Sequence, residues 1–187
     1  MLKKELETYC PKNRMEWRGW LEKNHHSKHA IWLVYYKTAT KIPSLSWSEA
    51  VDEALCFGWI DSTKKTIDDK RYMQYFSRRK PKSVWSKINK EKVDLLIQNK
   101  QMAKTGFESV AIAKQNGYWS IMDDVENLII PNDLQKALAA HQNSFKNFLS
   151  LSKSKQKELL GWIVLAKLPE TKQKRIRKII EYVNQGI

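Results

Sequence analysis

The chain of 187 residues has only two cysteines, a shortage of acidic relative to basic residues, and none of the common catalytic motifs. Cys10 and Cys56 do not form a CxxC pair, so they provide no zinc framework. The sequence contains no Gly-rich phosphate loop, no GxSxG and no HExxH. With no recognisable catalytic apparatus, the sequence favours a binding protein over an enzyme, and it identifies no catalytic residue and no cofactor.

The chain also lacks a long apolar segment. No apolar run approaches the roughly 20 residues that a membrane span requires. The first thirteen residues, Met1 to Asn13, are charged and polar, unlike a secretory signal. We therefore expect no transmembrane segment and a cytoplasmic location, where a disulfide between Cys10 and Cys56 would not form.

Positive charge is abundant and unevenly distributed. The formal net charge is +14, and residues 63–104 carry thirteen basic against four acidic side chains. Residues 153–178 carry nine basic against two acidic, and the remaining segments are close to neutral. This distribution favours an anionic partner over a diffuse effect on solubility. Nucleic acid, a phosphorylated ligand and an acidic protein surface all fit this description.

The first part of the chain mixes helix and strand patterns. In chain order these predict a helix over Asn13–Asn24, a buried strand over Ala30–Tyr36 and a helix that begins with a capping box of Ser46 and Glu49 and ends at Gly58. A hairpin of Trp59–Asp61 and Tyr72–Phe76 follows, with its turn at Ser62–Lys65. The last element is a helix that is capped by Ser83 and runs to about Asn99.

The rest of the chain shows only helical patterns. They predict helices over Thr105–Asn116, from Pro131, over Ser144–Ser150, from Ser152 to Lys167, and from Pro169. The fold class is therefore α+β, with a small antiparallel sheet and helices in the N-terminal half and an all-helical C-terminal half. We expect an arm over residues 1–13, an α+β region over 14–120 and a helical module over 121–187 packed on it as one compact unit.

Two groups of residues resemble a known family. The first comprises Val51–Ser62 (VDEALCFGWIDS) and Arg78–Asn89 (RRKPKSVWSKIN); the second comprises Pro131–Leu134, Gly161–Ile163 and Arg175–Ile176. Both resemble the bacterial YdeI/OmpD-associated family, also called bacteriocin-protection proteins, and the resemblance covers nearly the whole chain after about Asn13. It implies a bacterial protein linked to the envelope, an outer-membrane porin and bacteriocin tolerance, and it implies no reaction.

The chain departs from that family pattern at two positions. Ser77 stands where the pattern has a proline before the arginine pair, and Lys172 follows Thr171 where the pattern has Thr-Arg. The second departure keeps the charge but removes the guanidinium fork that a bidentate anion contact would need.

The first candidate anion site precedes the helix predicted at Ser83. Its residues are Arg78, Arg79, Lys82, Ser83 and Lys87. Arginine forks beside the backbone N–H groups of a helix N-terminus favour phosphate or carboxylate. In the alternative, Ser83 only caps the helix, the neighbouring tryptophan packs in the core and the basic residues face water.

The second candidate surface spans Lys167 to Lys178, at the last predicted helix, and its residues Lys167, Lys172 and Arg175 accompany an isoleucine stripe. A basic amphipathic helix suits nucleic acid, an acidic membrane surface or an acidic partner. A plain surface helix shows the same pattern. Our first hypothesis is that the two basic zones join into one surface for an anionic partner.

A second hypothesis is an enzyme or small-molecule binder with a pocket between the halves, near Trp59, Asp61, Arg79 and Trp85. These residues stand at predicted strand and helix ends, where binding groups tend to lie. Acid–base catalysis usually needs a second group beside the carboxylate, and pairing of Asp61 with an arginine is the alternative.

The remaining candidates are interpreted as structural. His25, His26 and His29 lie in the connection between a helix and a strand, without a nearby carboxylate or cysteine of suitable spacing, so no metal site is predicted. Cys56, between Leu55 and Phe57, is expected to be a small core residue. The oligomeric state is left open.

Overall fold

The computed structural model of the chain describes residues 7–185 and confirms the α+β fold class. The chain forms two compact units, with the division between Tyr118 and Trp119. We refer to them as the N-terminal and the C-terminal unit. Residues 1–6 of the expected N-terminal arm lie outside the described residues.

The N-terminal unit is a four-stranded sheet with helices. Its elements are β1 (Thr8–Tyr9), α1 (Arg14–Asn24), β2 (Ala30–Tyr36), a 3₁₀ turn (Thr38–Thr40), α2 (Trp47–Cys56), β3 (Trp59–Thr66), β4 (Arg71–Arg78), α3 (Lys87–Gln98) and α4 (Lys104–Gln115). The strand order is β1-β2-β4-β3, and β1 pairs with β2 in parallel while the other pairs are antiparallel. The sheet is thus mixed rather than antiparallel, because part of the expected arm joins it.

The β3–β4 hairpin is longer than the sequence pattern predicts. Its turn lies at residues 67–70, not at Ser62–Lys65. The carboxylate of Asp68 accepts backbone hydrogen bonds from Lys70 at 2.9 Å and Arg71 at 2.7 Å, which is the chemistry of an Asx turn. A bulge between Asp61 and Lys64 shifts the register. This bulge lies inside β3, at the residues for which the sequence pattern predicted the turn of the hairpin.

Helix α3 begins three residues later than predicted. Its N-cap is Ser86, whose hydroxyl accepts from the backbone N–H of Asn89 at 3.2 Å. The hydroxyl of Ser83 instead accepts from the backbone N–H of Lys80 at 3.0 Å and closes a turn. Because Ser83 is not a helix cap, the segment between β4 and α3 is an extended connection rather than the start of a helix.

Aromatic side chains fill the core between the first two helices and the sheet. The indole N–H of Trp17 donates to the carbonyl of Ala50 at 3.0 Å, and its ring lies 5.6 Å from that of Phe76 in an edge contact. Trp20 meets Trp59 edge-on at 5.8 Å. Offset and edge contacts of this kind are the preferred arrangements of aromatic pairs.

A buried carboxylate joins α1 to α2. The side chain of Glu53 is 3% exposed and accepts from Arg14 at 2.5 Å and from Arg18 at 2.7 Å. Arg18 also donates to the backbone carbonyl of Gln101 at 3.0 Å, which ties the connection before α4 to the same cluster. The capping box of Ser46 and Glu49 fixes the start of α2 as predicted.

The C-terminal unit consists of helices among its described residues. They are α5 (Asp123–Glu126), α6 (Asn132–Ala139), α7 (Ser144–Ser150), α8 (Lys153–Val164) and α9 (Pro169–Asn184). The isoleucine stripe of α9 is buried in a core with leucines from α6 and α8. One expectation differs, because α8 ends at Val164, before Lys167. Trp162 on this helix is 38% exposed.

None of the helices in residues 7–185 combines the length and the apolar character needed to cross a membrane.

The Glu53 cluster gives a direct test of the packing of α1 on α2. We expect Glu53→Gln to lower the free energy of unfolding by about 3 kcal/mol, because it leaves two guanidinium groups without their carboxylate. Glu22→Gln removes an exposed partner of Arg18 at 3.3 Å and should cost less than about 1 kcal/mol. Urea denaturation of both variants measures the difference between these two effects. Equal losses in the free energy of unfolding would show that Glu53 does not link α1 to α2.

Candidate anion-binding site

A cavity of about 340 Å³ lies at the end of α2 in the N-terminal unit. This volume is at the small end of the range for small-molecule sites. It is lined by His25, His26, Phe57, Gly58, Trp59, Arg78, Arg79, Lys80, Pro81, Thr105, Glu108, Ser109 and Ile112.

Two glycines bring α4 against the end of α2 and so form one wall of this cavity. Gly58 has φ +71°, and a Cβ there would stand 3.0 Å from the carbonyl oxygen of Thr105. A Cβ on Gly106 would stand 2.2 Å from the carbonyl oxygen of Cys56. No other residue type fits this approach without displacing the backbone. Thr105 reaches the cavity as a consequence.

The central group is the guanidinium of Arg79. It lies 3.5 Å from the ring centroid of Trp85, which is fully buried, and its Nη1 donates to the carbonyl of Val84 at 3.2 Å. Its Nε and Nη2 are buried without a hydrogen-bond partner. Burial lowers the pKa of Arg79 to about 10, and the nearby carboxylate of Asp61 opposes that shift. Arg79 therefore remains a cation at neutral pH.

Unsatisfied polar atoms are concentrated on the residues that line this cavity. Among residues 7–185, six buried side-chain nitrogen or oxygen atoms have no partner, and four of them belong to lining residues. These are Nε and Nη2 of Arg79, Nε1 of Trp59 and Oγ1 of Thr105. An unsatisfied buried polar group costs roughly 1–3 kcal/mol, and native proteins rarely leave several of them together. The arrangement can accept a group with several hydrogen-bond acceptors.

The other charges around the cavity are mostly positive. Arg78 donates through Nε to the carbonyl of Lys28 at 2.7 Å and through Nη2 to the carbonyl of His26, so it fixes the histidine segment. Lys80 is exposed. Glu108 is the acidic member of the lining and lies 3.8 Å from Lys104. An acceptor that carries negative charge is favoured here over a neutral one.

Three residues predicted to form a pocket are brought together. Trp59 and Arg79 line the cavity, and Trp85 lies under the guanidinium. Asp61 is not part of this set: its Oδ2 accepts from Trp47 Nε1 and from Gln74 Nε2, both at 2.9 Å. The expected ion pair of Asp61 with an arginine is therefore replaced by two neutral donors.

The helix-terminal anion site proposed from the sequence has a different geometry in the structure. Because α3 begins at Lys87, its first turn does not follow Arg78 and Arg79 directly. Lys82 is exposed, Lys87 faces Glu91 at 3.9 Å, and Ser83 belongs to a turn. Arg79 alone of the five residues presents unsatisfied donors to a cavity.

The second basic zone, in the C-terminal unit, is partly occupied by internal contacts. Lys172 pairs with Asp133 at 2.5 Å. Arg175 donates to the carbonyl of Trp162, and its guanidinium lies 5.3 Å from that indole ring. Lys167 is exposed in the connection after α8. That the two basic zones form one surface stays a prediction.

Sequence reasoning missed Thr105, Phe57 and Ile112 as lining residues. Gly58 and Gly106 were the available signal, since glycines that end or begin helices often mark a close backbone approach. No group of histidine, cysteine and carboxylate side chains within residues 7–185 is suited to hold a metal ion.

The fold and the cavity define a protein with an α+β unit that carries a ligand-sized site, followed by an all-helical unit. Residues 9–109 match the family model described as Domain of unknown function (DUF8412). This match covers more than half of the chain, so the chain belongs to that family.

The C-terminal unit matches a second family model. Residues 127–186 match the model described as Bacteriocin-protection, YdeI or OmpD-Associated, which confirms the resemblance drawn from the sequence for this part of the chain. The N-terminal motifs of that resemblance, Val51–Ser62 and Arg78–Asn89, lie within the other match. Searches of curated proteins and of solved structures gave no match.

Removing the buried charge should stabilise the protein in a buffer free of candidate anions. We expect Arg79→Met to raise the midpoint of thermal unfolding by roughly 2–4 °C, because it removes two unsatisfied donors while methionine keeps contact with Trp85. Lys82→Met, at an exposed lysine, should change it by less than about 1 °C. Calorimetry in a buffer without small organic or phosphate anions makes the comparison. A fall of several degrees for Arg79→Met would instead assign Arg79 a purely structural role.

Proposed function

We propose that the N-terminal unit binds a small anionic ligand in the cavity around Arg79. The observation that supports this most directly is the concentration of unsatisfied donors on Arg79, Trp59 and Thr105. A bound anion would satisfy these groups and add to the partial compensation of the buried positive charge that Asp61 provides.

The chemistry of the anion follows from which part of the guanidinium lacks a hydrogen-bond partner. Nη1 of Arg79 is taken by Val84, which leaves the edge formed by Nε and Nη2. That edge presents two parallel N–H groups and matches two oxygens of one carboxylate or phosphate group. The remainder of the ligand would contact Phe57 and Ile112.

The size of the cavity favours a small molecule over a macromolecule as the anionic partner at this position. About 340 Å³ admits a compact acid and excludes a folded acidic surface. The exposed lysines nearby, Lys80 and Lys82, would raise the local concentration of the anion rather than hold it. The alternative function, an enzyme acting at this cavity, has no comparable observation in its favour.

Titration calorimetry with sodium benzoate and with inorganic phosphate tests the proposal. We expect saturable binding of at least one of them, weakened about tenfold or more in Arg79→Gln because a charge-assisted bidentate contact is lost. Arg79→Lys should not restore it, since an ammonium cannot form the fork.

The matched control for this titration is Lys82→Gln, which makes the same change in charge three residues away at a position outside the cavity lining. It should bind within about twofold of the native chain, in line with the small effect of an exposed charge. An equal loss of affinity in Lys82→Gln and Arg79→Gln would show that the anion responds to the overall positive charge of the protein and not to a site at Arg79. Absence of binding for both anions would contradict the proposal.

The biological setting of this binding is taken from the printed name of the C-terminal family, bacteriocin protection. We infer that the protein works in the cytoplasm, where its two free cysteines would stay reduced. A bacterial host that lacks the gene should lose bacteriocin tolerance and regain it with the native chain but not with Arg79→Gln. Full rescue by Arg79→Gln, or fractionation of the protein with the envelope, would contradict this setting.

A further inference from the structure

A second cavity of about 760 Å³ opens on the N-terminal unit and shares no residue with the Arg79 cavity. Its lining combines three lysines, three aromatic rings and several hydroxyl groups, and no carboxylate is among the lining residues described. The lysines are Lys37, Lys41 and Lys64, and the rings are those of Tyr36, Trp47 and Tyr72.

Trp47 is exposed but held in one orientation. Its side chain stands at the first position of α2 and is 47% exposed. Its indole N–H donates to Asp61 Oδ2 at 2.9 Å, and the same oxygen accepts from Gln74, a buried side chain, at 2.9 Å. An exposed ring fixed from behind by a buried polar network loses little freedom when a planar group stacks on it.

A second ring of the lining is held in a similar way. Tyr72 stacks on the buried Tyr35 with a centroid distance of 4.9 Å and an interplanar angle of 5°. Lys64 Nζ lies 4.2 Å from the Tyr72 centroid. The rings of Trp47 and Tyr72 and the ammonium of Lys64 therefore line one open cavity as prearranged groups.

The charge of this cavity selects among planar ligands. Lys37, Lys41 and Lys64 contribute three positive charges, and the backbone of Lys41 is left-handed (φ 57°) after the 3₁₀ turn. A neutral planar ligand or a sugar would leave the lysines without a role. Aromatic stacking beside a lysine cluster is the chemistry that recognises a nucleobase joined to phosphate.

We propose that this cavity binds a nucleotide unit, with the base stacked on Trp47 and the phosphate contacted by Lys37 and Lys41. A volume of about 760 Å³ lies within the range of cavities that hold ligands of nucleotide size. Free nucleotide and single-stranded nucleic acid share this chemistry. The inference is independent of anion binding at Arg79, because no residue is common to the two sites.

The experiment measures a short fluorescein-labelled oligothymidylate by anisotropy and uridine monophosphate by titration calorimetry, both with the full chain. Trp47→Leu should weaken binding about tenfold, as expected for loss of one stacked base, and Trp47→Phe should retain it within about threefold. Lys41→Gln should weaken binding and reduce the salt dependence of the affinity.

Two control variants test whether the loss of any exposed tryptophan or lysine would weaken binding. Trp162→Leu removes an exposed tryptophan of the C-terminal unit, and Lys23→Gln removes an exposed lysine of α1; both should bind as the native chain does. Trp47-dependent binding of both probes supports a nucleotide site, and binding of the oligomer alone supports single-stranded nucleic acid as its source. Binding of neither probe, or equal affinities for Trp47→Leu and Trp47→Phe, would overturn the proposal.

Discussion

The burial of the Arg79 guanidinium on the face of Trp85 is the constraint on which the candidate site depends. Stacking at 3.5 Å and the bond from Nη1 to the carbonyl of Val84 hold the guanidinium within the connection between β4 and α3, and the backbone N–H of Arg79 donates to the carbonyl of Gly58, just after α2, at 2.9 Å. These contacts use only part of the hydrogen-bonding capacity of the guanidinium. The unused edge and the space beside it form the candidate site.

Local signals predicted most of the elements, and tertiary contacts account for the differences. The capping box of Ser46 and Glu49 and the strand Ala30–Tyr36 depend on residues close in sequence, so they could be identified directly. The bulge after Asp61 belongs to the pairing of β3 with β4, which lies elsewhere in the sequence. The choice of Ser86 over Ser83 as a cap accompanies the turn in which the Ser83 hydroxyl accepts from the backbone N–H of Lys80. Arg79 was identified as a candidate from its charge, whereas Thr105 reaches the site only because α4 approaches α2.

The charge count and the geometry contribute different information about anion binding. Much of the basic excess of residues 63–104 is exposed or paired: Arg71 binds Asp68 at 2.7 Å and Lys92 binds Asp52 at 2.5 Å. Such groups contribute to the field around the protein and to solubility. A specific site needs donors that are desolvated and unsatisfied, and among the basic residues predicted from the sequence this condition is met at Arg79. The excess of positive charge therefore predicts an anionic partner, but it does not predict which residues would bind it.

The most direct test of the account is the NMR signal of the Arg79 side-chain Nε–H, assigned by comparison with Arg79→Lys. The account predicts that benzoate or phosphate shifts this signal saturably downfield, as a new charge-assisted hydrogen bond requires, while the Nε–H signal of Arg175 in the C-terminal unit stays in place. An Arg79 signal that does not move at saturating anion, or that moves together with that of Arg175, would contradict a binding site at this cavity.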